Sequence, residues 1–401
     1  MFDAVDMAPA DAILGLTEAF SRDPNPEKIN LTVGVYKNSQ GKTPILESVK
    51  EAEQRILKAE QTKMYVSPHS GTAEFVRCVQ QMVFGADHPV VTAKQAVSAH
   101  TPGGTGALRL AGDYLKTNHP ETTLWISDPT WANHAGVFQA AGLPIRKYPY
   151  YDGVTRSLAF DQMLKALTEV KEADVVVLHG CCHNPTGVDP TIAQWQQISE
   201  VLAERRAVAL VDFAYQGFAR DRKQDSAGLL ALLEHIPELM VCSSFSKNFG
   251  LYNERVGALT VVTRSQEAAE AVLSQIKIGV RRNYSNPPAH GAIIVTTILE
   301  DPTLRAQWED ELTQMRDRIH DMRRLFAQTL SAEGVTLGPD GENAFIVRQK
   351  GMFSFSGLDP QQIQTLRDQY AIYIVRDGRV NVSGMTEQNM GRLCKAIASV
   401  A

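Results

Sequence analysis

Val175-Val-Val-Leu-His179, followed at once by Gly-Cys-Cys-His183-Asn184-Pro-Thr-Gly187, decides how the chain is read. A short, β-branched run without polar alternation is the pattern of a strand covered on both faces, and the glycine, asparagine and proline after it mark a turn. Leu124-Trp-Ile-Ser, Ala207-Val-Ala-Leu-Val-Asp212 and Leu239-Met-Val-Cys-Ser share that pattern. The segments between these runs are long enough for crossover helices. The middle of the chain is therefore expected to be α/β, a mostly parallel sheet flanked by helices.

From Pro302 the period changes. Leu304, Trp308, Leu312, Met315, Ile319, Met322, Phe326 and Leu330 recur at steps of three and four, with Glu, Asp and Arg between them. This predicts one long amphipathic helix closed by Gly334. Beyond it, Ala344-Phe-Ile-Val-Arg348 and Ala371-Ile-Tyr-Ile-Val375 read as strands flanking a helix over 359–370. Together they predict a second, smaller α+β domain, joined through the long helix. The Pro- and Asn-rich stretch 23–30 and the turn Asn38-Ser-Gln-Gly41 make the N-terminal segment an irregular arm. The expected division is a large domain over 44–314 and a small domain formed by 1–43 and 315–401.

The 401 residues, 44% hydrophobic and 21% charged, suit a globular chain of two or three domains. Forty Lys and Arg against 45 Asp and Glu give a net charge of −5, and no basic block is present. Nucleic acid and membrane surfaces are poor partners for such a chain. No apolar run approaches the ~18 residues of a membrane helix. Met1-Phe-Asp-Ala-Val-Asp6 places two acids where a secretory signal carries Lys or Arg, and the five cysteines include no CxxC pair. A cytoplasmic location with reduced thiols is expected.

Ligands of such sheets lie beyond the carboxyl ends of the strands, so the residues there are the candidates. Asn184 follows the first run, Asp212 and Tyr215 the second, and Ser244, Ser246, Lys247 and Arg255 the third. Upstream, Gly103-Gly104-Thr105-Gly106 opens a helical pattern. Backbone N–H groups at that helix start, the hydroxyls of Thr105, Ser244 and Ser246 and the Arg255 guanidinium would hold a phosphate dianion. A desolvated Lys247 would condense with an aldehyde, Asp212 would keep a proton on a ring nitrogen, and Tyr215 with Asn184 would bond a ring oxygen. The cofactor with those three features is pyridoxal 5′-phosphate.

Each residue alone has an ordinary use. The glycine-rich turn suits a dinucleotide loop or a tight turn, Asp212 an N-cap, Lys247 a solvated loop and Asn184-Pro185 a turn start. His134, three residues after Trp131, either orients Asp212 or is a satisfied core histidine. Cys181-Cys182 beside His183 lacks zinc-ligand spacing, and no metal is expected. The joint order on successive strand ends carries the cofactor reading.

Ser244-Phe-Ser-Lys247-Asn-Phe-Gly-Leu-Tyr-Asn-Glu-Arg255-Val-Gly257 resembles, position for position, the lysine-site motif of class I (fold type I) pyridoxal-phosphate aminotransferases. His183-Asn-Pro-Thr-Gly187, Asp212-Phe-Ala-Tyr-Gln-Gly217, Asp128-Pro-Thr-Trp-Ala-Asn-His134, Asn283-Tyr-Ser-Asn-Pro-Pro288 and Gly351-Met-Phe-Ser-Phe355 resemble the bacterial aspartate aminotransferase branch and its aromatic relatives. The similarity runs from Pro9 to the C-terminus. It implies that Lys247 is the cofactor-bonding lysine and proton shuttle, Asp212 the pyridine-nitrogen partner, and Tyr215 and Asn184 the ring-oxygen groups. By the same resemblance Trp131 stacks on the cofactor, and Gly103, Gly104, Thr105, Ser244 and Arg255 form the phosphate site. Tyr65 reaches the phosphate of a neighbouring subunit, so a homodimer with shared sites is implied. Arg379 binds the substrate α-carboxylate, Gly34 contacts substrate through its backbone, and Arg281 of the neighbouring subunit binds the distal carboxylate. Asn184 and Trp131 also border the substrate.

Two guanidinium forks at opposite ends would fix the length and orientation of a dicarboxylic acid. Thr32 stands where this branch usually has Gly, which predicts a stiffer N-terminal segment, and the loop after Tyr65 is unusual. Arg282 beside Arg281 resembles the aromatic relatives, whereas Asn286, Pro288-Ala-His-Gly291 and Phe353-Ser-Phe355 resemble the aspartate branch. The expected activity is ping-pong transfer of the amino group of L-aspartate to 2-oxoglutarate. The alternatives are an aromatic aminotransferase using tyrosine or phenylalanine, a nicotinamide-dependent dehydrogenase, or an inactive homologue that acts by binding. For the dehydrogenase, Gly104-Thr-Gly106 lacks the third glycine and Lys247 has no task.

Overall fold

The computed structural model describes residues 1–7, 14–339 and 341–401; Pro9 lies outside them. Seven strands form the large sheet: Ala96–Pro102 (β1), Leu124–Asp128 (β2), Ile145–Pro149 (β3), Val175–His179 (β4), Val208–Phe213 (β5), Leu239–Ser244 (β6) and Val256–Val262 (β7). Their order is β1-β7-β6-β5-β4-β2-β3, and β7 runs antiparallel to both its neighbours while the other pairs are parallel. All four runs read as strands are strands of this sheet.

The apolar runs are continuous because both faces of the sheet are covered. Val175 and Val177 pack with Leu108, Leu115, Phe138 and Ile276 on one face. Val176 and Leu178 pack with Ile198, Leu202 and Leu232 on the other. Burying each such side chain contributes about 1.5–3 kcal/mol, so a polar residue at either parity would cost core on one side.

The helix Pro302–Ala332 is one uninterrupted element of 31 residues. Asp301 caps its start by accepting from the N–H groups of Thr303 and Leu304, and Gly334 turns the chain away at φ +75°. Its buried stripe contains the eight apolar residues of the sequence pattern, and also Arg323, which the pattern had no reason to place inside.

Two sequence expectations need correction. Ala344–Arg348 is a short helix, not a strand. Phe345 and Ile346 are adjacent and both buried, which a strand cannot arrange against a single core. Asn343 sets the turn before them by bonding Leu337 N–H, Val335 C=O and Ser331 Oγ. Nor is the N-terminal arm irregular throughout. Leu14–Arg22 is a helix, and Ile29–Asn30 pairs in parallel with Ile372–Tyr373. Tyr373 donates to Asp23 and receives the edge of Phe20, so the arm is ordered by partners about 350 residues away. The helix Pro360–Tyr370 and the strand Ile372–Tyr373 lie where the sequence places them. Phe353–Phe355 pairs antiparallel with Arg379–Asn381. No helix of the described residues is long and apolar enough to cross a membrane.

Candidate active site

In-register pairing of β4, β5 and β6 sets His179, Asp212 and Cys242 side by side at the carboxyl edge. Ser244 ends β6 and pairs with Gly257 of β7, which in turn lies against Gly103 so closely that a Cβ on Gly257 would sit 2.4 Å from its carbonyl carbon. The helix Gly103–Asn118 therefore starts directly over the strand ends. Gly103 takes φ +74°, and a Cβ there would fall 2.4 Å from Arg255 Nη2.

These ends enclose a cavity of about 200 Å³ whose lining includes Thr105, Trp131, Asp212, Tyr215, Lys247 and Arg255. Gly34, Gly104, Asn184, Ser244 and Ser246 border it as well. Asp212 Oδ2 lies 3.0 Å from His134 Nε2, and His134 Nδ1 lies 2.7 Å from Thr130 Oγ1. His134 thus orients Asp212 rather than merely filling the core. Burial works to raise the pKa of Asp212, but the His134 bond and the nearby cations outweigh it and hold the carboxyl below its ordinary value. Lys247 is half-buried, and the loss of water around its amine lowers its pKa to about 8; Asp212 resists the shift and Arg255 adds to it. Its Nζ sits 4.8 Å from the centre of the Tyr215 ring. Burial raises the Tyr215 phenol, against the pull of Arg379, so it remains a donor at neutral pH.

At the other end, Arg255 Nη1 donates to Ser246 Oγ at 3.3 Å and to Tyr252 C=O at 2.9 Å, and Ser244 Oγ donates to Ser246 Oγ at 3.2 Å. Hydroxyls, a guanidinium and the start of a 16-residue helix converge here. That is the donor set of a phosphate site. A carboxylate, a phenol, an amide and a half-buried amine converge some way across from it. The residues fit pyridoxal 5′-phosphate: an acid for the ring nitrogen, donors for the ring oxygen, an amine for the aldehyde and a cup for the phosphate.

Arg379 lies beside this cavity, buried, with Nη2 donating to Thr32 C=O at 2.7 Å and Nη1 to Asn184 Oδ1 at 3.3 Å. Its guanidinium rests 4.3 Å from the centre of the Phe353 ring. The same ring limits Gly34, where a Cβ would meet Phe353 Cζ at 2.8 Å. Thr32 donates through both N–H and Oγ1 to Asn30 Oδ1, at 2.9 and 2.7 Å, the second a bond that Gly could not make. Asn381 Nδ2 donates to the carbonyls of Val33 and Val35.

Tyr65 and Arg281 stand apart from this cavity within the chain. Tyr65 is 86% exposed and borders a separate cavity of about 960 Å³ with Ser285 and Asn286. Arg281 donates to Ser285 Oγ at the edge of that surface. Arg282 faces elsewhere, into a groove with Arg109 and Asp113. Cys181 and Cys182 are buried thiols whose pKa values burial raises.

Three residues escaped the sequence reading. Tyr252 borders the cavity and accepts from Tyr36 N–H at 2.9 Å; it lies inside the Lys247–Arg255 motif but had no role there. His179 borders it with both ring nitrogens unpartnered among the described residues, and strand register opposite Asp212 was its only signal. Phe353 was quoted in a motif without a function.

A family model described as Aminotransferase class I and II matches residues 26–397. The chain is 52% identical to an aspartate aminotransferase of Salmonella typhi over 400 residues, covering all of both chains. It is 44% identical to an aromatic-amino-acid aminotransferase of Pseudomonas aeruginosa over 399 residues, covering all of this chain and 98% of that one. The crystal structure of an aromatic-amino-acid aminotransferase from Burkholderia pseudomallei, covalently bound to pyridoxal phosphate, superposes with a TM-score of 0.96 at 45% identity, covering 100% of this chain and 99% of that one. With the family matched across nearly the whole chain and Lys247, Asp212 and Arg255 gathered at its strand ends, the chain belongs to the class I and II aminotransferases.

Proposed function

We propose that the chain is a pyridoxal-phosphate-dependent aspartate aminotransferase, moving an amino group from L-aspartate to 2-oxoglutarate by a ping-pong route. The observation that carries this reading is the convergence of the Lys247 amine with the Asp212–His134 pair at one cavity, whose wall residue Asn184 is bonded by Arg379. The cofactor, when bound, supplies the electron sink that lets a proton leave the amino acid Cα. Lys247 holds the cofactor and then, with a pKa near 8, accepts and returns that proton. Asp212, kept ionised, holds a proton on the ring nitrogen, while Tyr215 and Asn184 donate to the ring oxygen. Arg255, Ser244, Ser246, Thr105 and the N–H groups at Gly103 and Gly104 hold the phosphate, and Trp131 covers the ring. Arg379 takes the α-carboxylate and Gly34 offers its backbone to substrate.

The aspartate preference is supported by the higher identity to aspartate aminotransferases and by the divergent directions of Arg281 and Arg282. We place the active unit as a homodimer in the cytoplasm. Tyr65 and Arg281, outside their own chain's cavity, are proposed to complete the partner's site, and the five unpaired cysteines suit a reducing compartment. The division into 44–314 and 1–43 with 315–401 is kept as part of this proposal. It agrees with the pairing of Ile29–Asn30 to Ile372–Tyr373.

The test compares kcat/KM for L-aspartate and L-phenylalanine with 2-oxoglutarate as acceptor. Aspartate is expected to be the better substrate, and Arg281→Leu should reduce its kcat/KM about 100-fold while sparing phenylalanine, the scale of a lost charge-assisted pair. Equal loss on both substrates removes the role given to Arg281. Mixing Arg281→Leu with Lys247→Ala subunits should restore about a quarter of the sites, because half of the dimers are mixed and each carries one intact site. No recovery removes the shared site.

A further inference from the structure

Arg323 projects from the helix Pro302–Ala332 into the interior with no exposed surface. Its Nη1 donates to Ile346 C=O at 3.0 Å. Its Nη2 faces the carbonyls of Lys350 at 3.3 Å, Gly351 at 2.7 Å and Phe353 closer still. Among the described residues no carboxylate pairs with it, and its Nε has no partner. Burying a guanidinium in this way is expensive, and an apolar side chain of like volume would serve packing as well. The charge therefore has some task besides stability.

The four carbonyls run from the short helix Ala344–Arg348 through the turn at Lys350 and Gly351 to the strand Phe353–Phe355, and this stretch touches the site at three points. Lys350 N–H donates to Gly187 C=O at 2.6 Å, and a Cβ on Gly351 would lie 2.4 Å from Cys182 Cβ, so the turn rests on the loop that carries Asn184. Phe353 supplies the ring beneath the Arg379 guanidinium and the wall against Gly34. Phe355 pairs with Arg379 itself across the antiparallel strands. Asp189, which accepts from the N–H groups of Cys182 and His183 in that loop, lies near enough to Arg323 to stabilise its charge.

We infer that Arg323 is a positioning residue for carboxylate recognition. By gathering the carbonyls of Ile346, Lys350, Gly351 and Phe353 it fixes the turn that aims Arg379 at the substrate. The inference rests on the aminotransferase reading, in which Arg379 takes the α-carboxylate. Lysine cannot replace it: its donors radiate from one nitrogen, whereas the planar fork reaches carbonyls on both sides of the turn.

The experiment measures Arg323→Lys holoenzyme beside wild type. KM for L-aspartate should rise about tenfold while kcat stays within about threefold, the split expected when binding geometry alone is disturbed. The dissociation constant of succinate, a dicarboxylate with no amine, should rise by a similar factor in calorimetry. Cofactor absorption should match wild type. A folded Arg323→Lys enzyme with wild-type KM and succinate affinity overturns the inference, and so does a fall in melting temperature with no change in either. If that variant does not fold, Arg323→Met decides, because an apolar side chain of similar length keeps the packing while the bonds to the four carbonyls are lost. Raised KM there supports the inference, and wild-type KM overturns it. A wild type that fails to turn over aspartate removes the parent reading instead.

Discussion

Asp212 and Arg379 are both buried charges beside one cavity, and they are held in unlike ways. Asp212 is fixed by strand register, with His179 and Cys242 as its lateral neighbours and His134 bonded to its carboxylate. Arg379 is fixed by side-chain bonds to a carbonyl 347 residues away and to an amide 195 residues away, above an aromatic ring. The floor that receives the cofactor is thus part of the sheet. The roof proposed to receive the substrate is a set of contacts between segments that are remote in sequence and belong to no large sheet. Chemistry should fail when the floor is altered, and recognition when the roof is.

The largest effect belongs to the floor. Lys247→Ala should lower kcat by about 10⁴-fold or more and abolish the visible absorption of the cofactor–lysine linkage, while the protein still binds succinate through Arg379. Loss of succinate binding as well would break the separation of floor from roof. Asp212→Asn should lower kcat by about 10³-fold with KM little changed, since the group that keeps the ring nitrogen protonated is gone. A KM effect of that size would place Asp212 in recognition. Arg379→Lys should cost about 100-fold in kcat/KM, chiefly through KM, for every amino acid tested, with the cofactor spectrum intact.

The smallest effect is one of pH. Lys247 titrates near 8 rather than at its ordinary 10.5, because burial disfavours its charged form. At pH 7 about a tenth of it is therefore neutral, and the rate of cofactor capture by the cofactor-free protein should climb through pH 8 and level above about 9. Stopped-flow absorbance at constant ionic strength measures this. A rate that is flat from pH 6 to 9 would show that the amine does not sense its burial.

The same contrast explains how much could be read from the chain. Strand ends were legible because a sheet buried on both faces leaves a continuous apolar signature, and the residues after each run fall at one edge. That located Asn184, Asp212, Tyr215 and Lys247 from local pattern. The long helix was legible from its period, yet Arg323 was not, since a charge inside an apolar stripe contradicts the pattern that defines it. Ala344–Arg348 misled because five residues are too few to separate period two from period 3.6. The order of the N-terminal arm was hidden for a different reason: Phe20, Asp23 and Ile29 find their partners at Ile372 and Tyr373, and no local rule reaches that far. The roles of Arg379 and Arg281 came from family resemblance, as an isolated arginine carries no such information.

The bond from Arg379 to Thr32 also sets a sequence of events during synthesis. All seven strands of the large sheet precede residue 263, so every strand of the cofactor floor is made more than a hundred residues before Arg379. The Arg379 fork proposed to take the carboxylate is bonded to Thr32, and that bond cannot form until residue 379 has been made. On the proposed reading, a nascent chain acquires Lys247 long before it acquires the Arg379 contact that would choose a substrate.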